Sequence, residues 1–353
     1  MLNRRSFMPL LAAGTFTNLV AVSGCQAKSA SSISSQIDEA IRQSGGDNFS
    51  GNVLVLRKGE VLFRKSFGLA DRSTNALNQT ASRFAAASLA KPFTAVLTFQ
   101  LIEEGKLKLS DRLDGVFPEL AGKASSTITV EQLLSHTSGI EEATEHHLDR
   151  PLVPGDLVAA RLTSKPGVFA YSSAGYVVLK LVVEKASGQD YATRLNERIF
   201  IPASMKDSGL LRTNTEVSGL ALGYAQSGNA PAKLSVPVEI LDGAGSLYTT
   251  TEDLARFDKA LSGNVILSAQ SQKIMHTRHT PNGGAAWGYG WALADQGGKY
   301  YPWHKGDLPG YTAVMARQIH REELVVILSN QEKIDVNAMR QKILRILKAT
   351  AES

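Results

Sequence analysis

Apolar residues alternate with polar ones in some stretches of this chain and recur every third or fourth position in others, so the two periods divide it into strands and helices. Asn52 to Arg57 and Glu60 to Phe67 are apolar, β-prone runs separated by Lys58-Gly59, a hairpin signal. Tyr311 to Ala316 and Leu324 to Leu328 read as strands near the other end. Helical periods lie between and around them. Ser35-x-x-Asp38 resembles a capping box ahead of Ala40 and Ile41, with Gly45 as the stop. A longer period carries Phe93, Val96, Leu97 and Leu101 to Gly105. Thr129-x-x-Gln132 opens a short helix through Leu133 and Leu134, Gly175 to Ala186 stops at Gly188, and Thr250-x-x-Asp253 caps a helix ending at Gly263. The last helix turns Met339, Ile343, Leu344 and Leu347 inward and leaves Arg340, Arg345 and Lys348 as its solvated side. Strands at both ends of a helical middle predict one sheet closed by distant segments, with a helical insertion and a cleft between two lobes.

The first residues carry an address rather than a fold. Asn3-Arg4-Arg5-Ser6-Phe7-Met8 leads into a modestly apolar run to Val22, and no acidic residue precedes Asp38. A basic start, a short apolar region and small residues at its end describe an export signal, and the paired arginines before Ser6-Phe7 resemble a twin-arginine signal. Gly14, Thr15, Thr17 and Asn18 interrupt the run too often for a membrane span. Val22-Ser23-Gly24-Cys25 resembles a bacterial lipobox, which implies cleavage after residue 24 and acylation of Cys25. As the single cysteine of the chain, Cys25 has no disulfide partner within one copy. Gln26 to Ser35, serine-rich and without aromatic residues, reads as a flexible tether between a membrane and the domain. The expected division is therefore an export signal at 1–24, a lipidated tether at 25–35 and one catalytic domain at 36–353.

Composition adds only exclusions. At 43% hydrophobic and 20% charged residues the chain is that of a packed globular protein. The formal charge of +5 falls to +3 when Arg4 and Arg5 are set aside, leaving 36 basic against 33 acidic residues. That excess is too small and scattered for a nucleic-acid partner.

The chemistry is concentrated in three places. Ser88-Leu89-Ala90-Lys91 sets a hydroxyl and an amine three residues apart at a helix start, where positions i and i+3 share a face. Lys91 can act as the base that a serine nucleophile needs if burial lowers its pKa, and N–H groups at the helix start can stabilise an oxyanion. Taken alone the tetrad also describes an exposed helix N-terminus. Tyr171-Ser172-Ser173 sits where a loop turns into a helix, with a phenol able to relay a proton or simply anchor the turn. Trp303-His304-Lys305-Gly306-Asp307 precedes the strand at Tyr311, and Gly306 would let a substrate approach the backbone closely. A surface turn with a histidine has the same appearance. His146-His147 lies in an acidic, polar loop and reads as solvated rather than metal-ligating.

In their order along the chain, Ser-x-x-Lys, Tyr-Ser-Ser and His-Lys-Gly resemble the three motifs of serine β-lactamases and penicillin-binding proteins. The middle motif resembles the class C-related branch, which includes D-alanyl-D-alanine carboxypeptidases, D-aminopeptidases and esterases. Leu133-Leu134-Ser135-His136-Thr137-Ser138-Gly139, Gly243-Ala244-Gly245-Ser246-Leu247 and Gly288-Tyr289-Gly290-Trp291 support the resemblance, which runs from about Phe49 to about Asn330. It implies an α/β fold of the α+β type. An antiparallel sheet built from both chain ends (about 36–90 and 250–353) is flanked by helices, with a mostly helical lobe at about 91–249. Ser88 is implied as acylated nucleophile, Lys91 as general base and Tyr171 as proton relay for deacylation. The backbone N–H groups of Ser88 and Asp307 are implied as oxyanion hole, with Ser173, His304, Lys305 and Gly306 as substrate-binding positions. No cofactor or metal is implied.

Two departures from the family pattern bear on the substrate. Ser173 stands where asparagine is usual and offers one hydroxyl in its place. His304 takes the lysine position of the third motif and Lys305 the hydroxyl position, which weakens carboxylate recognition unless Lys305 compensates. The expectation is a lipid-anchored serine hydrolase facing the periplasm or cell exterior and acting on a small-molecule or peptide ester or amide. The alternatives are a D-alanyl-D-alanine carboxypeptidase or weak β-lactamase and, in another class, a non-catalytic protein that binds cell-wall peptides.

Overall fold

Six antiparallel strands organise the chain: β1 (Gly51–Arg57), β2 (Glu60–Phe67), β3 (Ala292–Gln296), β4 (Lys299–Leu308), β5 (Tyr311–Gln318) and β6 (Glu323–Ser329). Their order across the sheet is β2-β1-β6-β5-β4-β3, so the central seam joins segments from the two ends of the chain. In that seam Gly51 pairs with Ser329 and Arg57 with Glu323. The computed structural model describes residues 21–351 apart from 47, 143–149, 159, 226–229, 233–236, 281–285 and 297. The export-signal residues 1–20 and the pair His146-His147 lie outside the described residues.

Successive strand side chains point to opposite faces, and here both faces are covered. Val53, Val55, Val325 and Ile327 meet α1 (Ala21–Gly45) and α6 (Val336–Ala351) through Ile37, Ile41, Met339 and Ile343. Leu54, Leu324, Val326 and Leu328 face the larger core. Burial on both faces is why β6 reads as an unbroken apolar run. In that core α2 (Ala90–Glu103) is buried on every side from Ala90 to Leu101, and its Phe93 stacks on Phe257 at 4.0 Å between ring centroids. Around it stand α3 (Val130–Leu134), α4 (Ser173–Ser187) and α5 (Thr251–Ser262). The capping box at Thr129, the left-handed stop at Gly188 and the Thr250 cap form as the pattern predicts. No helix among the described residues is long and apolar enough to cross a membrane.

Three expectations are corrected. Residues 26–35 do not form a loose tether, and Ser35 does not open the first helix, because α1 begins at Ala21. No glycine or proline interrupts 26–44, so helix nucleated where Ile33, Ile37 and Ile41 pack propagates backwards. Arg340 is buried rather than solvated, with its guanidinium 4.2 Å from the centroid of the Trp303 ring and hydrogen-bonded to Asn337. The third motif does not precede a strand: residues 303–307 lie inside β4, whose lysines, proline and glycine conceal the alternation.

Arg340 thus presses on β4 from the face opposite the larger core, one residue from His304. Arg340→Ala should lower stability by about 1–2 kcal/mol, through lost cation–π contact and packing, and should shift Trp303 fluorescence. An unchanged melting temperature would show that this clamp carries no weight.

Candidate active site

Ser88 occupies a single helical turn, Ala87–Leu89, that feeds directly into α2. A small three-stranded sheet holds the approach: Phe84–Ala85 pairs with Leu247–Thr249, which pairs in turn with Gly209–Leu210. Ala87 takes a left-handed backbone (φ 49°), uncommon for a residue with a Cβ and sustained only where surroundings enforce it. One turn later Lys91 is wholly buried. Its Nζ lies 3.1 Å from Ser88 Oγ, 3.2 Å from Ser173 Oγ and 3.0 Å from the Ala244 carbonyl oxygen. Burial brings its pKa down to about 7, with the Glu142 carboxylate pulling the other way. Near neutrality the amine is therefore partly uncharged. The Ala244 carbonyl can only accept, so it anchors one N–H and leaves a neutral amine a lone pair to take the Ser88 proton.

Tyr171 precedes α4, with its hydroxyl turned toward Ser88 and its ring beneath the Lys91 amine, 4.9 Å from the centroid. Although 43% of the residue is exposed, desolvation at its hydroxyl raises the phenol above the ordinary range, so it is protonated at neutral pH. Ser172 caps α4 by accepting from the Gly175 N–H at 3.0 Å. The Ser172 N–H donates to His136 Nδ1 at 3.1 Å, and the His136 ring stacks on Tyr171 at 4.5 Å. Burial, then the Lys91 charge, holds His136 well below its usual pKa. The Glu142 carboxylate accepts from the N–H groups of Ser173 and Ala174, both at 2.8 Å. An anion there suits the positive end of a helix and fixes the turn that presents Tyr171 and Ser173.

β4 closes the site from the other side. A Cβ on Gly306 would come within 2.3 Å of the Ala86 carbonyl oxygen and 3.0 Å of the Ser88 nitrogen, so only glycine admits the strand this close to the Ser88 turn. The preceding inward residue, His304, is 2% exposed. Its Nδ1 lies 2.7 Å from the Lys305 carbonyl oxygen, and a carbonyl only accepts, so Nδ1 carries the proton and Nε2 is left a bare acceptor. Nε2 has no hydrogen-bond partner among the described residues. Burial, reinforced by the Lys91 charge, lowers the His304 pKa to about 3, so the ring is neutral. Alternation sends Lys305 and Asp307 to the opposite face, where their side chains pair at 2.9 Å.

The supporting sequence signatures surround this centre. Gly243 accepts from the Thr94 hydroxyl at 2.6 Å and Ala244 holds Lys91, while the backbone of Gly290 backs onto the first turn of α2. Tyr289 donates to Glu131 at 2.9 Å beside the short helix that precedes His136.

A family model described as Beta-lactamase matches residues 37–349. The chain belongs to the β-lactamase family. It is 30% identical over 305 residues to the putative penicillin-binding protein PbpX of Bacillus subtilis strain 168, covering 85% of this chain and 75% of that protein. The crystal structure of a penicillin-binding protein from Bacillus halodurans superposes with a TM-score of 0.76 at 26% identity, covering 89% of this chain and 99% of that one. A D-amino acid amidase from Ochrobactrum anthropi SV3, complexed with L-phenylalanine, gives a TM-score of 0.78 at 22% identity over 91% and 99% of the two chains. At that identity the likeness is one of fold. The mixed α/β architecture of this β-lactamase relative is the one its motifs imply.

The structure brings Ser88, Lys91, Tyr171, Ser173, His304 and Gly306 together, and turns the side chains of Lys305 and Asp307 away. The Cys25 backbone lies in α1, remote in sequence from all of them. Sequence reading gave no role to Glu142, Trp287 or the Ala244 carbonyl. Trp287 stands 5.4 Å from both Tyr171 and His304 between ring centroids. Neither Glu142 nor Trp287 belongs to a local pattern, and a carbonyl leaves no mark in sequence.

Gly306→Ala should therefore push β4 off the Ser88 turn. We expect a stability loss of about 1–3 kcal/mol, as for overpacked positions, together with a larger loss of covalent labelling at Ser88. Labelling at the original rate would show that the strand does not need this approach.

Proposed function

We propose that this β-lactamase-family chain is an exported, lipid-anchored serine hydrolase that acts on esters or amides through an acyl-enzyme. The observation that carries the reading is the buried Lys91 amine, its pKa near 7, within hydrogen-bond reach of Ser88 Oγ. Lys91 takes the Ser88 proton as Oγ attacks the substrate carbonyl, and the Ser88 and Asp307 backbone N–H groups receive the developing oxyanion. The proton passes to the leaving group, and Tyr171, a neutral phenol, relays the proton that an attacking water gives up during deacylation. The paired arginines 4 and 5 and the lipobox ending at Cys25 support the address.

The third motif supports esters and small amides over carboxylate-bearing β-lactams. Neutral His304 offers an acceptor where a carboxylate needs a donor, and the Lys305 ammonium is paired with Asp307 on the other face.

A fluorophosphonate probe tests the chemistry. Ser88→Ala should abolish labelling with folding intact, and Lys91→Ala should slow it about 10²–10⁴-fold. Because only the uncharged amine is a base, the wild-type rate should fall about tenfold per pH unit on the acid side of a midpoint near 7. Labelling that persists in Ser88→Ala at another serine would end this reading.

Substrate preference is a separate test. Short-chain esters should turn over faster than cephalosporins, and the double change His304→Lys with Lys305→Thr should move preference toward carboxylate-bearing substrates. A wild-type preference for cephalosporins would overturn the ester assignment while leaving the nucleophile untouched.

A further inference from the structure

The antiparallel order places three hairpin tips at one end of the main sheet: Lys58-Gly59 between β1 and β2, the turn at Gly298 between β3 and β4, and residues 319–322 between β5 and β6. The last turn of α6 reaches the same end, since Arg57 donates to the Leu347 carbonyl at 2.6 Å. Lys58, Lys299, Arg321 and Lys348 lie here, against Glu60, Asp295 and Glu322; Glu323 is buried in its pair with Arg57. Exposed apolar side chains interleave with them: Val61 (47% exposed), Ile319 (42%) and, after α5, Val265 (61%). A cleft of about 1050 Å³ runs between this end of the sheet and α5. Leu56, Val61 and Ile319 line it with seven basic side chains, Lys58, Lys259, Lys273 and Lys299 among them, against four carboxylates, Glu252, Asp258, Glu322 and Glu323.

The first helix points the same way. α1 runs antiparallel to α6, with Gly45 against Met339 and Ser35 and Gln36 beside Ile346. Asp38 pairs with Lys65, which stands opposite Val53. From that level Arg57 lies about 14 Å along the strand, whereas Cys25 lies about 20 Å back along the helix. The backbone of Cys25 is therefore carried just past the hairpin tips. The catalytic centre stands toward the other end, because Gly306 is seven residues, about 24 Å of strand, from Lys299.

We infer that the hairpin-tip end of the sheet, with its lysine-lined cleft, docks on an anionic phospholipid surface and that the catalytic cleft opens away from the bilayer. A net positive, apolar-studded surface is complementary to anionic headgroups and the acyl boundary beneath them. The orientation rests on the proposed acylation of Cys25; the docking surface does not.

The test uses the full protein purified from membranes, with the acyl mass on Cys25 checked first, reconstituted in vesicles with and without phosphatidylglycerol. A fluorophore at Ile319→Cys reports the proposed contact, and one at Leu77→Cys reports the opposite end, where neighbouring Asn78 bonds Ser50. Nitroxide-headgroup lipids should quench the label at 319 several-fold more than the label at 77, and only with anionic lipid. Lys58→Glu combined with Lys299→Glu should remove most of the difference. Equal quenching at both positions, or quenching indifferent to lipid charge, would overturn the inference. If no acyl mass is found, the address reading fails. Sedimentation with anionic vesicles then decides the docking surface: charge-dependent binding supports it, and its absence rejects it. Binding that is lost to soluble polyphosphate without any lipid quenching would assign the surface to an anionic polymer and reject the membrane.

Discussion

The site depends on one constraint: an amine must be kept dry at the junction of two lobes. Lys91 sits on the helix that both lobes enclose, and its three oxygen partners come from three separate segments. None is adjacent to another in sequence, so the amine reports whether the lobes are assembled. Several close approaches serve that enclosure. Gly306 lets β4 lie against the Ser88 turn, and Gly290 lets residues 288–291 reach the first turn of α2. Glu142 tempers the result, because its charge opposes the fall in the Lys91 pKa while its oxygens hold the start of α4.

Such an amine costs stability, and the sign can be worked out. The folded-state pKa is near 7, against 10.5 for the unperturbed side chain. Between those values the unfolded chain binds the extra proton, so stability rises with pH across that window and is lost as pH falls toward 7. Near neutrality the folded protein therefore still carries almost the whole of that cost. The cost is met by the enclosing core, including the α2 helix buried on every side and the Phe93–Phe257 stack.

Much of this was legible in sequence, for identifiable reasons. Hairpin signals, capping residues and stop glycines act locally, so β1, β2 and the caps at Thr129 and Thr250 could be read directly. Ser88, Lys91 and Tyr171 stood out because short motifs carry them. What escaped depends on neighbours distant along the chain. Arg340 has the composition of a solvated position and is buried only because Trp303 lies beneath it. The tether is helical because α1 has a packed half to grow from. The tautomer of His304 is set by a backbone carbonyl, and Lys305 is turned away by strand alternation. Glu142 reaches α4 from thirty-one residues earlier.

The central seam also sets an order in time. β1 pairs with a strand 266 or more residues later, and β4, which flanks Ser88, is made only after residue 298. During synthesis the β1–β2 hairpin waits with an open edge, and the lysine has no sealed pocket in which to lose its charge. Ser88 and Lys91 are made early, and the enclosure that lowers the Lys91 pKa forms only as the last strands pair.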